Sequence, residues 1–181
     1  EPTMFLGRMD MRKIGGSFAG VAAAGPLSFG ADEIPDMTSD TAPSGTVTYS
    51  ADYAGYNGWM AFDDKASPPG WDSDVPNAAW IAYEFTGPKK IQQYTIQAAA
   101  DGSSLGQMPK DWTFEGWTGS AWVVLHTVSG AGAWSSGEKR TYNDADFTNN
   151  TSYIKYKIDV TAVIAVDSAV SIQEIEMMVA Q

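Results

Sequence analysis

From Trp80 to Val179 the chain runs in short stretches where apolar and polar residues alternate, separated by clusters of Gly, Ser, Thr and Pro. Trp80 to Phe85 sets Ile81, Tyr83 and Phe85 on one side, and Ile91 to Ala98 does the same with Tyr94, Ile96 and Ala98. Trp112 and Phe114 share a face, with Thr113 and Glu115 opposite. Tyr153 to Val160 predicts Ile154, Tyr156, Ile158 and Val160 inward, with Tyr153, Lys155, Lys157 and Asp159 in solvent. Ile172 to Val179 points Ile175, Met177 and Val179 inward. Trp122 to Val128 does not alternate, so it reads as a strand buried on both faces or bulged. A period of two gives each strand one packed and one wet face, the pattern of antiparallel sheets.

No segment sustains a 3.6-residue period, so helices are expected to be short or absent. Thr118-Gly119-Ser120, Ser129-Gly130 and Gly102-Ser103 mark tight connections. Short strands with frequent turns predict an all-β sandwich or barrel over residues 37–181. A domain of that length buries roughly 68–70% of its unfolded surface, enough for a core without cross-links. Residues 1–36 differ. They are rich in Gly and Ala, hold Arg8, Arg12 and Lys13 against five acids, and show neither period. They read as an irregular N-terminal arm that packs either on a neighbouring subunit or on its own domain. Met11-Arg12-Lys13 before Ile14 to Ala31 imitates a secretion signal, but Gly15, Gly16, Gly20, Gly25, Pro26 and Gly30 interrupt the apolar core such a signal needs.

Charge narrows the partners. The net charge is −11, with only 11 Lys and Arg, too few for clustered neutralisation of phosphates. Nucleic acid and anionic membrane surfaces are therefore poor partners. No apolar run reaches the roughly 18–20 residues of a membrane span. The absence of cysteine excludes disulfides, thiolate metal sites and thiol catalysis.

Enzymatic chemistry finds little support. The single histidine, His126, sits within a strand, where packing is its ordinary role. Glu174 and Glu176 share a strand face, but nothing else suggests a glycosidase cleft. The acidic loop Asp63, Asp64, Asp72 and Asp74 is the better site, because calcium takes six to eight oxygen ligands from such loops.

The order of motifs resembles a known family. "MTSDTAPSGTVTYSADY", "AFDD" before Trp71, "AAWIAYEFTGPKKIQQYTI", "MPKDWTFEGWTGSAWVVLHTVSG", "TSYIKYKIDVTA" and "SIQEIEMM" are similar, in this order, to discoidin or coagulation-factor C-terminal (galactose-binding-like) domains. The likeness spans residues 37–180 and is nearest in wording to copies in bacteriophage tail and other virion proteins. It implies an antiparallel jelly-roll sandwich without catalytic residues. It also implies a structural Ca²⁺ held by Asp63, loop carbonyls and Glu174, although Asp64, Lys65 and Pro69 depart from the usual pattern and leave open a plain acidic turn with Lys65 as counter-ion.

Members of that family bind sugars through variable loops at one end of the sandwich. An aromatic platform with a few polar groups is the chemistry required. Tyr53, Tyr56, Asn57 and Trp59 in one loop, Asp101, Ser103 and Ser104 in a second, and Trp134 with Arg140 in a third are the candidates. The alternative for Trp134 is to cap the core or a neighbouring subunit. Trp71, Trp80, Trp112 and Trp122 are expected in the core. The resulting expectation is a homo-oligomeric virion structural protein, joined to other subunits through residues 1–36 and displaying a domain for a cell-surface glycan. The alternative is a secreted carbohydrate-binding module of a bacterial protein.

Overall fold

The computed structural model describes residues 25–166 and 168–181. Strands β1 (Thr46–Tyr49), β2 (Trp71–Pro76), β3 (Ala79–Lys89), β4 (Gln93–Gln97), β5 (Pro109–Trp117), β6 (Trp122–Val128), β7 (Lys139–Tyr142), β8 (Tyr153–Val163), β9 (Ala169–Ile172) and β10 (Glu174–Met178) follow in chain order. Helix among the described residues is confined to two 3₁₀ turns, Gly58–Phe62 and Leu105–Gln107. One sheet runs β1-β3-β8-β5-β6, a second β10-β4-β7, and β2 pairs with β9. Among the described residues, all the pairings between these strands are antiparallel. This is the expected all-β sandwich.

The two larger sheets bury their facing sides in an aromatic layer. Phe114 of β5 stacks on Tyr94 of β4 at 4.4 Å and on Tyr156 of β8 at 5.3 Å, with Phe147 edge-on. Large aromatics suit this geometry, because each fills the gap between sheets and offset or edge contacts satisfy its quadrupole. Every polar atom on these rings finds a partner. The Trp112 Nε1–H donates to the Tyr94 hydroxyl at 3.1 Å, and His126 Nδ1 lies 2.8 Å from the same hydroxyl. The Tyr156 hydroxyl donates to Lys89 O at 2.6 Å and accepts from Ile91 N, while Asn149 Nδ2 donates to Ile91 O. These bonds satisfy the Ile91 amide and carbonyl where the chain passes from β3 to β4.

Two sequence expectations change, and one left open is resolved. Ile154 is 36% exposed and Tyr153 is buried, the reverse of simple alternation. The Tyr153 ring takes the space beside Gly116, where a Cβ would stand 2.4 Å from it, and meets Tyr156 edge-on. Of the two readings of the β6 run, buried on both faces or bulged, the second is the one found. The run is an edge strand, with Val123 and Val124 exposed and a register shift opposite Phe114/Glu115. Of the four tryptophans expected in the core, Trp71 and Trp112 are fully buried, but Trp80 and Trp122 lie half-buried on the outer face of the five-stranded sheet.

Residues 1–24, and with them most of the arm to which an assembly role is ascribed, lie outside the described residues. The stretch that is described runs beside β10: Phe29 bridges Ala180, Glu33 N donates to Met177 O, and the Asp32 carboxylate accepts from the amides of Ile34 and Met177. Ile34 and Met37 join the core there.

Candidate functional site

Chain direction gathers the long loops at one end of the sandwich. Residues 50–70, 98–108 and 129–138 interlock through backbone bonds: Ala100 N to Ala66 O, Ala98 N to Glu138 O, Gly137 N to Ala99 O and Ala131 N to Lys110 O. The first loop doubles back through a Tyr53–Tyr56 bridge and is pinned to β2 by Tyr53 N to Asp72 O and Asp72 N to Tyr56 O. Tyr53 and Tyr56 are 51% and 40% exposed, with ring centroids 5.8 Å apart and planes tilted by 41°.

Beside them is a narrow crevice of about 20 Å³, lined by Tyr56, Ser103, Ser104, Met108, Ser171 and Gln173 among others. That volume holds about one water molecule, so a larger ligand would rest on the rim. Ser104 takes a left-handed backbone at φ +58°, and Asp101 accepts from Ser103 N at 2.8 Å, which holds the Asp101 carboxyl below its usual range. Tyr56, Ser103 and Ser104 from two separate loops thus come together, with Asn57 adjacent and tied to Asp52 by a 2.7 Å bond.

The remaining loop candidates stand differently. Trp59 is partly buried against the core. Trp134 is only 4% exposed, its Nε1–H donates to Pro109 O at 2.9 Å, and the Arg140 guanidinium lies 3.8 Å from its ring centroid. Arg140 is itself engaged by Glu138 Oε1 at 2.7 Å and by the carbonyls of Gly132 and Ala133. This cation–π and hydrogen-bonded cluster folds the 129–138 loop onto the body and leaves no open indole face.

His126 is stacked on Phe147 at 5.5 Å and bonded to Tyr94, and burial lowers its pKa, so it is a neutral packing residue. Glu176 accepts from Thr95 and Lys139 and serves the sheet.

The acidic loop tests whether calcium fits. Glu174 is 2% exposed and its Oε2 has no partner, which is an opening for a cation. Asp63, close enough to repel it, is buried too. However, Asp63 accepts from Lys65 Nζ at 2.7 Å and from Lys65 N at 3.2 Å. The carbonyls of Lys65 and Ser67 accept from Gln173 Nε2 at 3.0 and 2.9 Å. Among the described residues no three acidic or imidazole side chains gather around a metal-sized space. With Asp63 paired to Lys65 and the nearby carbonyls bonded to Gln173, the free oxygen of Glu174 leaves the loop short of the six to eight ligands that calcium requires, so the residues as placed do not fit the ion. Burial, and then the charges of Asp63 and Asp32, push Glu174 up to about 9, so it carries a proton at neutral pH. A calcium site filled a hundredfold above its Kd would add about 2.7 kcal/mol. The expected result is instead an unchanged Tm between EDTA and millimolar calcium; a rise of several degrees with calcium would show the ion displacing Lys65.

Comparison with known proteins then places the fold. No protein-family model matches the chain, and no curated protein matches it. Solved structures do. One is a module from Clostridium perfringens in complex with GalNAc-β-1,3-galactose: TM-score 0.58, 17% identity, covering 74% of this chain and 94% of that one. A second is the family 32 carbohydrate-binding module of C. perfringens NanJ in complex with galactose: TM-score 0.58, 12% identity, covering 75% and 93%.

The fold is that of these sandwich modules.

A chitosan-binding module derived from a chitosanase/glucanase of Paenibacillus sp. IK-5 is similar to the same extent, with TM-score 0.57, 17% identity, and coverage of 77% and 98%. At such identities the likeness is one of fold, and the loop residues of this chain must be judged on their own geometry.

Proposed function

We propose that the chain is a non-catalytic glycan-binding module of an extracellular protein, reading sugars at the loop end. The observation that carries this is the Tyr53–Tyr56 pair: two exposed rings held in place by backbone bonds, at the rim of a crevice bearing Ser103 and Ser104. Aromatic faces desolvate the C–H face of a sugar ring, while hydroxyls, Asn57 and Asp101 bond its hydroxyls. Trp59, Trp134 and Arg140 support the loops from behind. The solved structures that share the fold are modules named for galactose, a GalNAc-galactose disaccharide and chitosan, which favours this reading. Some are parts of larger enzymes by their names, so attachment to a catalytic partner domain is compatible with it. The virion role and the homo-oligomer expected with it find no support among these structures.

A glycan array is the test. The chain is expected to bind galactose- or hexosamine-terminated glycans, and the double variant Tyr53→Ala/Tyr56→Ala to lose at least about tenfold in affinity with an unchanged Tm. Full retention of binding in that variant would remove the loop end as the site.

A further inference from the structure

The outer face of the five-stranded sheet is not the plain polar surface that a solvated strand face normally shows. Two adjoining hollows, about 360 and 410 Å³, run across it and share Trp117, Gly119 and Ile154. Trp80 of β3 and Trp122 of β6 stand on the walls of the larger one. Trp117 and Trp122 are cross-strand partners, with ring centroids 5.2 Å apart. All three tryptophans are half-buried, so each indole is anchored by the sheet yet open toward the groove. This groove lies near the β5–β6 and β7–β8 connections, away from the loop end.

Beneath and beside the indoles lies a paired set of charges. Lys155 meets Glu84 at 3.3 Å; Lys157 meets Glu115 at 3.0 Å and Asp159 at 2.6 Å, and lies 4.9 Å from the Trp122 ring centroid. Thr118, Thr151 and Ser152 add hydroxyls at the far end.

We infer that this groove binds a stretch of an uncharged polysaccharide chain, at a surface separate from the loop end. Three features select that occupant. The open indole faces match the C–H faces of pyranose rings. Each ammonium already has its carboxylate, so no cation is left for a polyanion, while the ion pairs present donors and acceptors to hydroxyls. The two hollows adjoin across Trp117, Gly119 and Ile154, which suits several linked sugars rather than one. A protein partner is disfavoured because the cores of protein interfaces are depleted in charge, and here Glu84 and Lys155 line the groove with the Glu115, Lys157 and Asp159 cluster beside it.

The inference stands independently of the loop-end reading, and affinity gel electrophoresis separates the two. The full chain is run through gels containing a soluble β-glucan, a galactan, a xylan or the polyanion polygalacturonate. Retardation by at least one neutral polymer is expected, with none by polygalacturonate. Trp122→Ala and Trp117→Ala are expected to weaken it at least about tenfold. Because those tryptophans also support the sheet, Ile154→Glu is the second variant: it sits at an exposed position in both hollows, fills the groove with charge, and is expected to abolish retardation with Tm unchanged. Tyr53→Ala/Tyr56→Ala is expected to retain it. The proposal is overturned if no neutral polymer retards the chain, if polygalacturonate does so more strongly, or if Ile154→Glu leaves retardation intact. It is equally overturned if sedimentation shows a dimer that Ile154→Glu dissociates, which would make the groove a contact between copies.

Discussion

Phe114→Ala is expected to remove about 3–5 kcal/mol of folding stability, the cost of emptying a large aromatic site in a packed core. Phe114 is fully buried and is the ring that both sheets share, between Tyr94 on one side and Tyr156 on the other. Removing it leaves a cavity whose walls are pinned. Tyr94 is held by Trp112, and Tyr156 by Lys89, Ile91 and Asn149, so neither ring is free to collapse inward. The loss is a large share of the roughly 5–15 kcal/mol a domain possesses. Urea titration should show a lower midpoint with an unchanged slope. Phe114→Leu should cost clearly less, since much of the volume remains. A Phe114→Ala loss below about 1 kcal/mol would mean that the two sheets do not meet on this ring.

The second large effect is one of pH. Glu174 is pushed up to about 9, first by burial and then by the charges of Asp63 and Asp32. Asp32 is raised to about 7, again chiefly by burial. In both, the folded state keeps a proton that the unfolded state gives up at its ordinary value near 4. Stability therefore stands at its highest below that value and falls as pH rises toward the folded pKa, between about 4.5 and 9 for Glu174 and up to about 7 for Asp32. One pKa unit corresponds to about 1.4 kcal/mol, so several units amount to several kcal/mol before relaxation reduces them. Glu174→Gln keeps the shape without the ionisation. It is expected to match the parent near pH 5 and to exceed it by about 2–3 kcal/mol near pH 8, some 4–12 °C in Tm for a domain of this size. Thermal melts across that range decide it: parallel pH profiles for parent and variant would show that Glu174 is ionised in the folded chain.

Much of the fold was legible because burial between two sheets imposes a period of two. Ile81, Tyr83 and Phe85, then Tyr94 and Ile96, then Trp112 and Phe114 all face the core as their alternation requires. Alternation failed where a neighbour's missing side chain set the direction: Gly116 makes room for Tyr153, and Ile154 turns outward. The loop end was legible as a collection of loops, and Tyr56, Ser103 and Ser104 do meet there. Trp134 was ambiguous on sequence grounds, since an aromatic in a Gly-rich loop is equally suited to stacking on a ligand or folding back. Its bond to Pro109 O and the guanidinium over its face are contacts across the fold that no local pattern encodes.

The amino-acid order by itself determined an all-β chain with two-faced strands, no thiol chemistry and no surplus of cations for phosphates, because periodicity, composition and charge are properties of the chain alone. Which tryptophans stand together was decided only by tertiary structure. The alternation that points Ile81 inward already sets Trp80 on the opposite face, but only the strand order β1-β3-β8-β5-β6 brings Trp80, Trp117 and Trp122 to one groove. The same holds for Asp63 and Glu174: two carboxyls far apart in sequence become neighbours only once the chain has folded, whereas Lys65 reaches Asp63 from within the same loop, and the repulsion between the two carboxyls is electrostatics across the fold.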